Sequence, residues 1–373
     1  MKRIKNFDTI RGFAIFLMVL GHFLDWWLTE GDYWLYAMLE GIFSFVAIAF
    51  LFISGAATML AYKNRKLKLG NEKHERNFFR NEFILRGLIL LFISFIYNFI
   101  SIFAVNLDFA HIWSWNVLQA IAISLLLSYP LLRLSKLIRI LIAIIMLILN
   151  YYILSLLYPF QGQDNLNGVV FFLLFNPTDQ YIFLAYFFIF IIGTVIGEII
   201  FDIFNMNNVE ELKNTLKVKF NYPMVIFGII LLIFGISNLI FNYTSFFFQT
   251  IILRIASLSM IIYSLGLLLI LISLLTYIEV FKPIKTKKSY RFFYFYSFYS
   301  FTIYIGHDLL YLFFPHQLTV VTVWIPAIIG MILTSLIIRY LYKKLGYKVS
   351  LKAQISISAT YLARKIQKKA NNE

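Results

Sequence analysis

The sequence predicts an all-α polytopic membrane protein with about ten transmembrane helices and both termini in the cytoplasm. The chain of 373 residues is 61% hydrophobic and 14% charged, whereas roughly 25% of the residues in a soluble domain are charged. The apolar residues fall into runs of about 20, the length of a helix that spans a bilayer. The positive charges alternate from loop to loop, which indicates the orientation of each helix.

Each predicted helix is an apolar run that ends at a polar loop. In chain order, we expect transmembrane helices at residues 11–29, 36–62, 83–104, 113–133, 137–159, 180–201, 222–242, 249–277, 293–313 and 317–343. This division assigns residues 1–343 to one transmembrane domain and residues 344–373 to a cytoplasmic tail.

Positive charge is confined to one side of the predicted membrane domain. All 33 lysines and arginines, except Arg86 and Arg254 inside predicted helices, lie at the N-terminus, in alternate loops or in the tail. Because cytoplasmic loops are enriched in Lys and Arg, this pattern predicts cytoplasmic termini. The net charge of +15 therefore indicates membrane topology and not binding of nucleic acid. The intervening loops without Lys or Arg lie near residues 30–35, 105–112, 160–179, 243–248 and 314–316.

The tail is basic and carries apolar residues at helical spacing. This pattern is typical of an amphipathic helix on the inner membrane surface. The chain contains no cysteine, which excludes disulfides and thiolate chemistry. The apolar residues of the predicted tail helix are Leu351, Ile355, Leu362 and Ile366.

Ionisable residues share one face of the first predicted helix. Arg11 and His22 are eleven residues apart, a spacing that returns to the same face about 16 Å further along. Asp25 and Trp26 follow His22 at i+3 and i+4 and join that face. Ionisable groups inside a membrane are costly and often functional. A structural polar seam between packed helices is the alternative.

The ninth predicted helix repeats this theme with His307 and Asp308. It also runs outward, so His307 is expected at a depth similar to that of His22. Two histidines with nearby carboxylates at one depth predict a shared polar pocket. The alternative is that His307 only donates a hydrogen bond between helices.

Three further polar positions are ambiguous. Arg254 is the only cation expected in the outer half, where it needs an anionic partner, and a structural ion pair is the favoured interpretation. Asn116 and Gln119 follow a Trp-rich segment that is typical of an interfacial anchor, but they can still face the pocket. The candidate partners of Arg254 are Asp25, Glu40, Asp308 and an anionic group of a substrate.

On the inner side, Arg80 and Arg86 flank the start of the third predicted helix. Together with Arg11 they predict an anion site, since the arginine fork binds phosphate with two hydrogen bonds. Ordinary topology-setting charge explains most lysines of this side, but it explains Arg86 less well because Arg86 lies inside the helix.

Four segments form a recognisable set: FDTIRG with its apolar run to His22, FLFISGAATMLAY, the basic stretch from Arg80 to Arg86, and SFTIYIGHDLLY. Together they resemble the acyltransferase-3 superfamily. Two others, WNVLQAIAISLLLSYPLL and AYFFIFIIGTVIGE, look closer to the branch that includes heparan-α-glucosaminide N-acetyltransferase and its prokaryotic relatives. The segments cover most of the chain, and their order is more specific than any one of them.

The resemblance implies transfer of an acyl group, expected to be acetyl, from cytoplasmic acetyl-CoA to a hydroxyl or amine outside, expected on a sugar. It implies a multi-pass enzyme of a prokaryotic cell membrane that needs no metal, and it is compatible with a homo-oligomer. His22 matches the catalytic histidine and Arg11 the motif arginine. The first outer loop, Leu28 to Tyr36, has no histidine, so heparan-like amino-sugar specificity is not expected.

The residues can be assigned roles on this basis. Arg11, Arg80 and Arg86 would hold the phosphates of acetyl-CoA, and its pantetheine arm would run along the first helix to His22. His22 would act as a base or carry the acyl group itself, with His307 nearby. The residue that orients His22 would be Asp25, Glu40 or Asp308. The candidate substrate-binding residues are Glu40, Asn116, Gln119, Arg254 and Asp308.

Two other functions remain open at the level of the sequence. A transporter or a lipid or glycan flippase also has many helices with polar groups at mid-depth, but the chain shows neither clear repeats nor paired broken helices. A non-catalytic membrane partner or sensor would not need the cationic inner site. Hydrolysis of a thioester distinguishes both from an acyltransferase.

Overall fold

A computed structural model describes residues 4–43, 45–69, 73–105, 109–176, 182–241, 257–283 and 291–372. Within these ranges the regular elements are helices, and strand-like pairing is limited to a single bridge between Leu28 and Leu318. The α-helices are α1 (Lys5–Trp27), α2 (Trp34–Phe43), α3 (Phe45–Leu69), α4 (Lys73–Val105), α5 (Val117–Leu131), α6 (Lys136–Leu157), α7 (Leu166–Phe175), α8 (Phe183–Phe204), α9 (Val209–Thr215), α10 (Tyr222–Phe241), α11 (Leu258–Phe281), α12 (Arg291–Phe298), α13 (Ser300–Gly306), α14 (Trp324–Lys344) and α15 (Leu351–Asn372).

Eight helices in the described part of the chain are long and apolar enough to cross a membrane. The protein is therefore a multi-pass membrane protein, as its composition predicts. The count of ten helices and the cytoplasmic location of both termini stay predictions. Two expected helices do not reach the length of a span, because α5 has 15 residues and the run 293–313 is interrupted.

The expectation of one continuous helix over residues 293–313 is wrong. The helix breaks at Tyr299, between α12 and α13, and continues from His307 as a 3₁₀ helix. The break frees backbone groups that tertiary contacts satisfy: the Phe298 carbonyl accepts a hydrogen bond from Ser350 Oγ at 2.7 Å. Such a contact with the residue before α15 cannot be read from local apolar periodicity.

The spanning helices form an inner and an outer group. The spans Lys5–Trp27, Met38–Leu67, Phe183–Phe204 and Leu258–Phe281 are 56–78% buried, whereas the other four are only 17–28% buried. Helices that are buried to this extent form the core, and the outer helices present apolar side chains that suit a lipid environment. The cavities described below lie beside the core helices α1 and α3.

Helices α3 and α8 pack at close range through glycines. A Cβ atom at Gly55 would lie 2.0 Å from the Phe190 carbonyl oxygen, and one at Gly193 would lie 2.2 Å from that of Phe52. Small residues at such contacts let two helices approach closely in a membrane, where van der Waals packing drives helix association.

An ion network with the buried Arg139 at its centre joins α3, α6 and α8. Arg139 has no exposed surface and pairs with Glu198, whose other carboxylate oxygen lies 2.7 Å from Lys63 Nζ. Lys136 Nζ lies 2.7 Å from Asp202. The sequence pattern alone interprets these cations as topology signals, but their carboxylate partners give them a packing role as well.

The helix predicted in the basic tail is present as α15. It packs against α4 and buries Ile355, Ala359 and Ala363, whereas Leu362 and Ile366 are exposed. The tail helix therefore contacts the bundle through one isoleucine and two alanines. The contact of its apolar face with the inner membrane surface stays a prediction.

Candidate functional site

Helix α1 carries both Arg11 and His22, and contacts fix its two ends. At its start, the Glu279 carboxylate of α11 accepts hydrogen bonds from the backbone N–H groups of Lys5 and Asn6 at 3.2 and 3.3 Å. Carboxylates are favourable at this position because helix N-termini carry partial positive charge. At its end, the Leu318 N–H donates to the Trp27 carbonyl at 2.8 Å.

His22 and His307 lie side by side, in agreement with the similar depth expected for them in two helices that run in the same direction. The centroids of their rings are 4.7 Å apart. The indole of Trp26 stacks on both, with centroids 4.6 Å from His22 and 5.4 Å from His307. The structure thus brings the two histidines into one aromatic cluster, although they come from α1 and from the 3₁₀ helix after α13.

The backbone decides which nitrogen of His307 carries a proton. Nδ1 contacts the carbonyl oxygen of Tyr304, which can only accept a hydrogen bond, so Nδ1 is the donor. Nε2 lies 3.6 Å from Asp308 Oδ1. Asp308 also accepts hydrogen bonds from Tyr97 at 3.1 Å and from Ser101 at 3.3 Å, so it is held by α4.

Asp25 is near His22 but is not within hydrogen-bond distance. His22 Nδ1 is 4.0 Å from Asp25 Oδ2, and this buried nitrogen has no hydrogen-bond partner. Asp25 Oδ1 accepts a hydrogen bond from Tyr33 at 2.8 Å. The i+3 spacing therefore places the Asp25 carboxylate close to the His22 imidazole, but the two groups do not form a hydrogen bond.

A small cavity of about 50 Å³ lies beside His22, and we call it the His22 cavity. Its polar lining comes from His22, Tyr36, Glu40 and Tyr304, and its remaining lining residues are apolar or Gly21. Glu40 thus shares a cavity with His22, whereas Asp25 does not line it. A volume of this size has room for only a few water-sized groups.

A larger cavity of about 240 Å³ contains two of the predicted anion-binding residues, Arg11 and Arg86. We call it the arginine cavity. Arg11 is 8% exposed, whereas Arg80 is exposed and is not part of the lining. The structure thus brings together Arg11 and Arg86 and leaves Arg80 outside. Further polar lining residues are Ser54, Thr58, Ser300, Lys352 and Ser356.

The two cavities lie along the same three helices, α3, α5 and α13. On each helix, a residue that lines one cavity is four positions from a residue that lines the other. Four residues correspond to a rise of about 6 Å. The His22 cavity and the arginine cavity are therefore about one helical turn apart. The pairs are Phe50 and Ser54, Val117 and Ile121, and Tyr304 and Ser300.

The other predicted site residues lie elsewhere. Asn116 caps α5, where its Oδ1 accepts from the Gln119 N–H at 2.9 Å, and its Nδ2 donates to Asn98 at 2.7 Å. Gln119 is fully buried, its side-chain polar atoms have no partner, and it lines neither cavity. Arg254 lies outside the described residues. Trp115, expected at the membrane interface, is buried and donates to the Leu173 carbonyl.

Sequence reasoning missed Glu82 and the contribution of α15. The Glu82 carboxylate accepts from Arg65, from Arg86 at 2.5 Å and from Thr360 at 2.8 Å. Its i,i+4 spacing from Arg86 was a signal for this pairing. No comparable signal marks Lys352, which looks like any other lysine of a basic tail.

A comparison with protein families gives a match over residues 3–234, to the family described as heparan-α-glucosaminide N-acetyltransferase, catalytic. A search of curated proteins found no match. The matched range contains Arg11, His22, Glu40 and Arg86, and it ends before His307. Because the match covers well over half of the chain, the protein belongs to the heparan-α-glucosaminide N-acetyltransferase catalytic-domain family of membrane acetyltransferases.

Proposed function

We propose that the protein transfers an acetyl group from acetyl-CoA, bound in the arginine cavity, to a hydroxyl or amine of an acceptor at the His22 cavity. The donor would come from the cytoplasm and the acceptor from the opposite side of a prokaryotic cytoplasmic membrane. The observation that carries the proposal is the pair of cavities one helical turn apart, one lined by arginines and one lined by His22.

The charge and length of this arrangement support acetyl-CoA as donor. Arg11 and Arg86 line the same cavity, and arginine binds phosphate with two parallel hydrogen bonds. Eleven residues of α1 separate Arg11 from His22, about 16 Å along the helix axis. An extended pantetheine arm has a comparable length, so it can place a thioester near His22 while the phosphates stay with the arginines.

His22 is the proposed reacting residue, and two routes use it. As a general base, it takes the proton of the acceptor hydroxyl or amine while the acceptor atom attacks the thioester carbonyl. The carbon–sulfur bond then breaks, and the proton passes to the leaving thiolate. Alternatively, His22 attacks the thioester first, and the acceptor then displaces the acetyl group from the imidazole. His307, 4.7 Å away between ring centroids, is positioned to assist either route.

A sugar is the proposed acceptor class. Aromatic side chains lie beside the His22 cavity: Tyr36 lines it, and the ring centroids of Tyr33 and Tyr36 are 5.2 Å apart. Flat rings can pack against the apolar faces of a sugar. The small volume beside His22 favours an acetyl group over a long acyl chain. Specificity for heparan-like amino sugars is not part of the proposal.

Binding and slow hydrolysis of acetyl-CoA by the purified protein test this function. We expect saturable binding and hydrolysis by the wild type, loss of binding in Arg11→Ala, and binding without turnover in His22→Ala. Arg364→Ala removes an exposed arginine of α15 and serves as the control, which should behave as the wild type. Absence of saturable binding of any acyl-CoA to the wild type would contradict the proposal and favour a transporter or sensor.

A further inference from the structure

We propose that the C-terminal helix α15 completes the donor site, with Lys352 binding a phosphate group and Ser300 donating a hydrogen bond to the bound donor. This inference rests on the proposed function, since that function places acetyl-CoA in the arginine cavity. Both residues line that cavity, and both lie beyond residues 3–234, the range that the family comparison covers.

The start of α15 is fixed at the break between α12 and α13. Ser350 Oγ donates to the Phe298 carbonyl at 2.7 Å. Thr302 Oγ1 donates to the Val349 carbonyl at 2.9 Å and accepts from the Leu351 N–H at 3.1 Å. These bonds hold the first turn of α15 next to α13. Lys352 is in that first turn, so it reaches the cavity from a rigid position and not from a free tail.

Two rows of residues on α15 face the bundle. The first row is apolar and buried, and its two alanines permit close approach to α4. The second row is polar, and its members Ser356 and Thr360 each follow a member of the first row by one position, about 100° around the helix. Because each row repeats every four residues, it follows one side of the helix. The apolar row is Ile355, Ala359 and Ala363, and the polar row is Lys352, Ser356 and Thr360.

Protein contacts already occupy the far part of the polar row. Arg86 Nη2 donates to Ser356 Oγ at 2.8 Å and to Glu82 Oε1 at 2.5 Å. Thr360 Oγ1 donates to the same Glu82 oxygen at 2.8 Å. These bonds fix the Arg86 guanidinium beside α15. Lys352 and Ser356 of this row both line the arginine cavity, together with Arg11.

The charge of the cavity wall is suited to an anion. Its ionisable lining residues in the described part of the chain are Arg11, Arg86 and Lys352, and no carboxylate lines it there. A phosphate ester carries the complementary charge, and charge-assisted hydrogen bonds from Lys and Arg to phosphate are stronger than neutral ones. A nucleotide phosphate and a phospholipid headgroup share this chemistry, and we assign the site to the nucleotide of the donor.

Ser300 gives an independent indication of a ligand. It has no exposed surface, its Oγ has no hydrogen-bond partner among the residues that the structure describes, and it lines the arginine cavity. Buried hydroxyls nearly always find a partner. Ser300 is also one turn from Tyr304 of the His22 cavity, so its hydroxyl lies on the route between the two cavities. A polar atom of the bound donor is the partner that it lacks.

Comparing two donors tests the role of Lys352. Acetyl-CoA carries phosphates, whereas acetyl-pantetheine has the same thioester without them. We expect Lys352→Ala to lower kcat/KM for hydrolysis of acetyl-CoA about tenfold, the size of one charge-assisted hydrogen bond, and to leave kcat/KM for acetyl-pantetheine unchanged. Lys352→Arg should retain most activity. Lys365→Ala, which removes an exposed lysine of the same helix, is the matched control.

The outcomes separate this inference from the proposed function. If the wild type binds no acetyl-CoA, the proposed function fails first. If the wild type binds it and Lys352→Ala binds it equally well, α15 is not part of the donor site, although the proposed function stands. In lipid nanodiscs, a Lys352→Ala effect that appears only when phosphatidylglycerol is present would assign the phosphate to lipid and overturn the inference.

The Ser300→Ala variant tests whether the Ser300 hydroxyl binds the donor or stabilises the fold. Removing a buried hydroxyl that has no partner should leave the melting temperature unchanged or raise it. Donor binding should nevertheless weaken severalfold. A lower melting temperature with unchanged affinity for acetyl-CoA would show that the hydroxyl serves the fold and not the ligand.

Discussion

At the scale of single residues, the site is defined by the imidazoles of His22 and His307 and by three nearby carboxylates, Asp25, Glu40 and Asp308. The proton of His307 lies on Nδ1, because this nitrogen donates to the Tyr304 carbonyl. His22 has a buried Nδ1 that meets no hydrogen-bond partner in the part of the chain that the structure describes. Asp25 is 4.0 Å away from that nitrogen, and Glu40 lines the same cavity as His22.

Substitution of each carboxylate identifies the one that orients His22. We expect Asp25→Asn to reduce turnover about 10- to 100-fold, less than removal of the imidazole, with unchanged affinity for acetyl-CoA. The reason is that a small rotation of Asp25 closes the 4.0 Å gap to His22. Hydrolysis rates and donor affinity of purified variants provide the measurement.

Two comparisons make this prediction specific. Asp164→Asn removes an exposed carboxylate of a loop and should have no effect on either quantity. A large loss of turnover in Glu40→Gln, combined with normal turnover in Asp25→Asn, would transfer the orienting role to Glu40.

At the scale of elements, the site depends on helices that local sequence patterns describe incompletely. The run 293–313 is apolar enough for one helix, yet it breaks at Tyr299. Two contacts with the start of α15 stabilise the break: Ser350 donates to the Phe298 carbonyl, and the Leu351 N–H donates to Thr302. In α3 and α8, glycines set the distance between helix axes. Helix α3 contributes lining residues to both cavities, so its position relative to α8 affects the whole site.

A methyl group at Gly193 tests that packing. A Cβ atom there would lie 2.2 Å from the Phe52 carbonyl oxygen, so α3 and α8 must move apart in Gly193→Ala. Overpacking of this kind costs about 1–3 kcal/mol. We expect a lower melting temperature in detergent, together with reduced hydrolysis, because Phe52 lies between the cavity-lining residues Phe50 and Ser54.

Gly31→Ala is the control, since a Cβ atom there would have no atom within 4 Å. An unchanged melting temperature for Gly193→Ala would mean that the two helices are further apart in the membrane than the structure indicates.

At the scale of the whole molecule, charge and packing divide the protein into two ends. In the sequence, lysines and arginines are concentrated in the N-terminal segment, in the segment 63–82 and in α15. The arginine cavity lies next to α15, and the His22 cavity is about one turn further along α3, α5 and α13. If the basic end faces the cytoplasm, as the loop charges predict, donor and acceptor approach from opposite sides of the membrane.

Cysteine labelling tests this orientation directly, because the natural chain contains no cysteine. In intact cells, a membrane-impermeant maleimide should label Asp164→Cys, in a loop that has no lysine or arginine. It should label Lys365→Cys, in α15, only after the membrane is permeabilised. Labelling of Lys365→Cys in intact cells would reverse the predicted topology and the proposed direction of transfer. The unsubstituted chain gives the background signal.

By itself, the sequence determined the class of the protein, because spanning length, apolar composition and the distribution of charge are properties of the chain. The spacing of Arg11 and His22 on one face of α1 also followed from helix geometry alone. Those local rules could not decide whether Arg80 or Arg86 lines the arginine cavity, and they could not identify Lys352 as a lining residue. Only the tertiary structure decided these points, since the answer depends on how α15 packs against α4 and α13, through contacts between residues that are far apart in the chain.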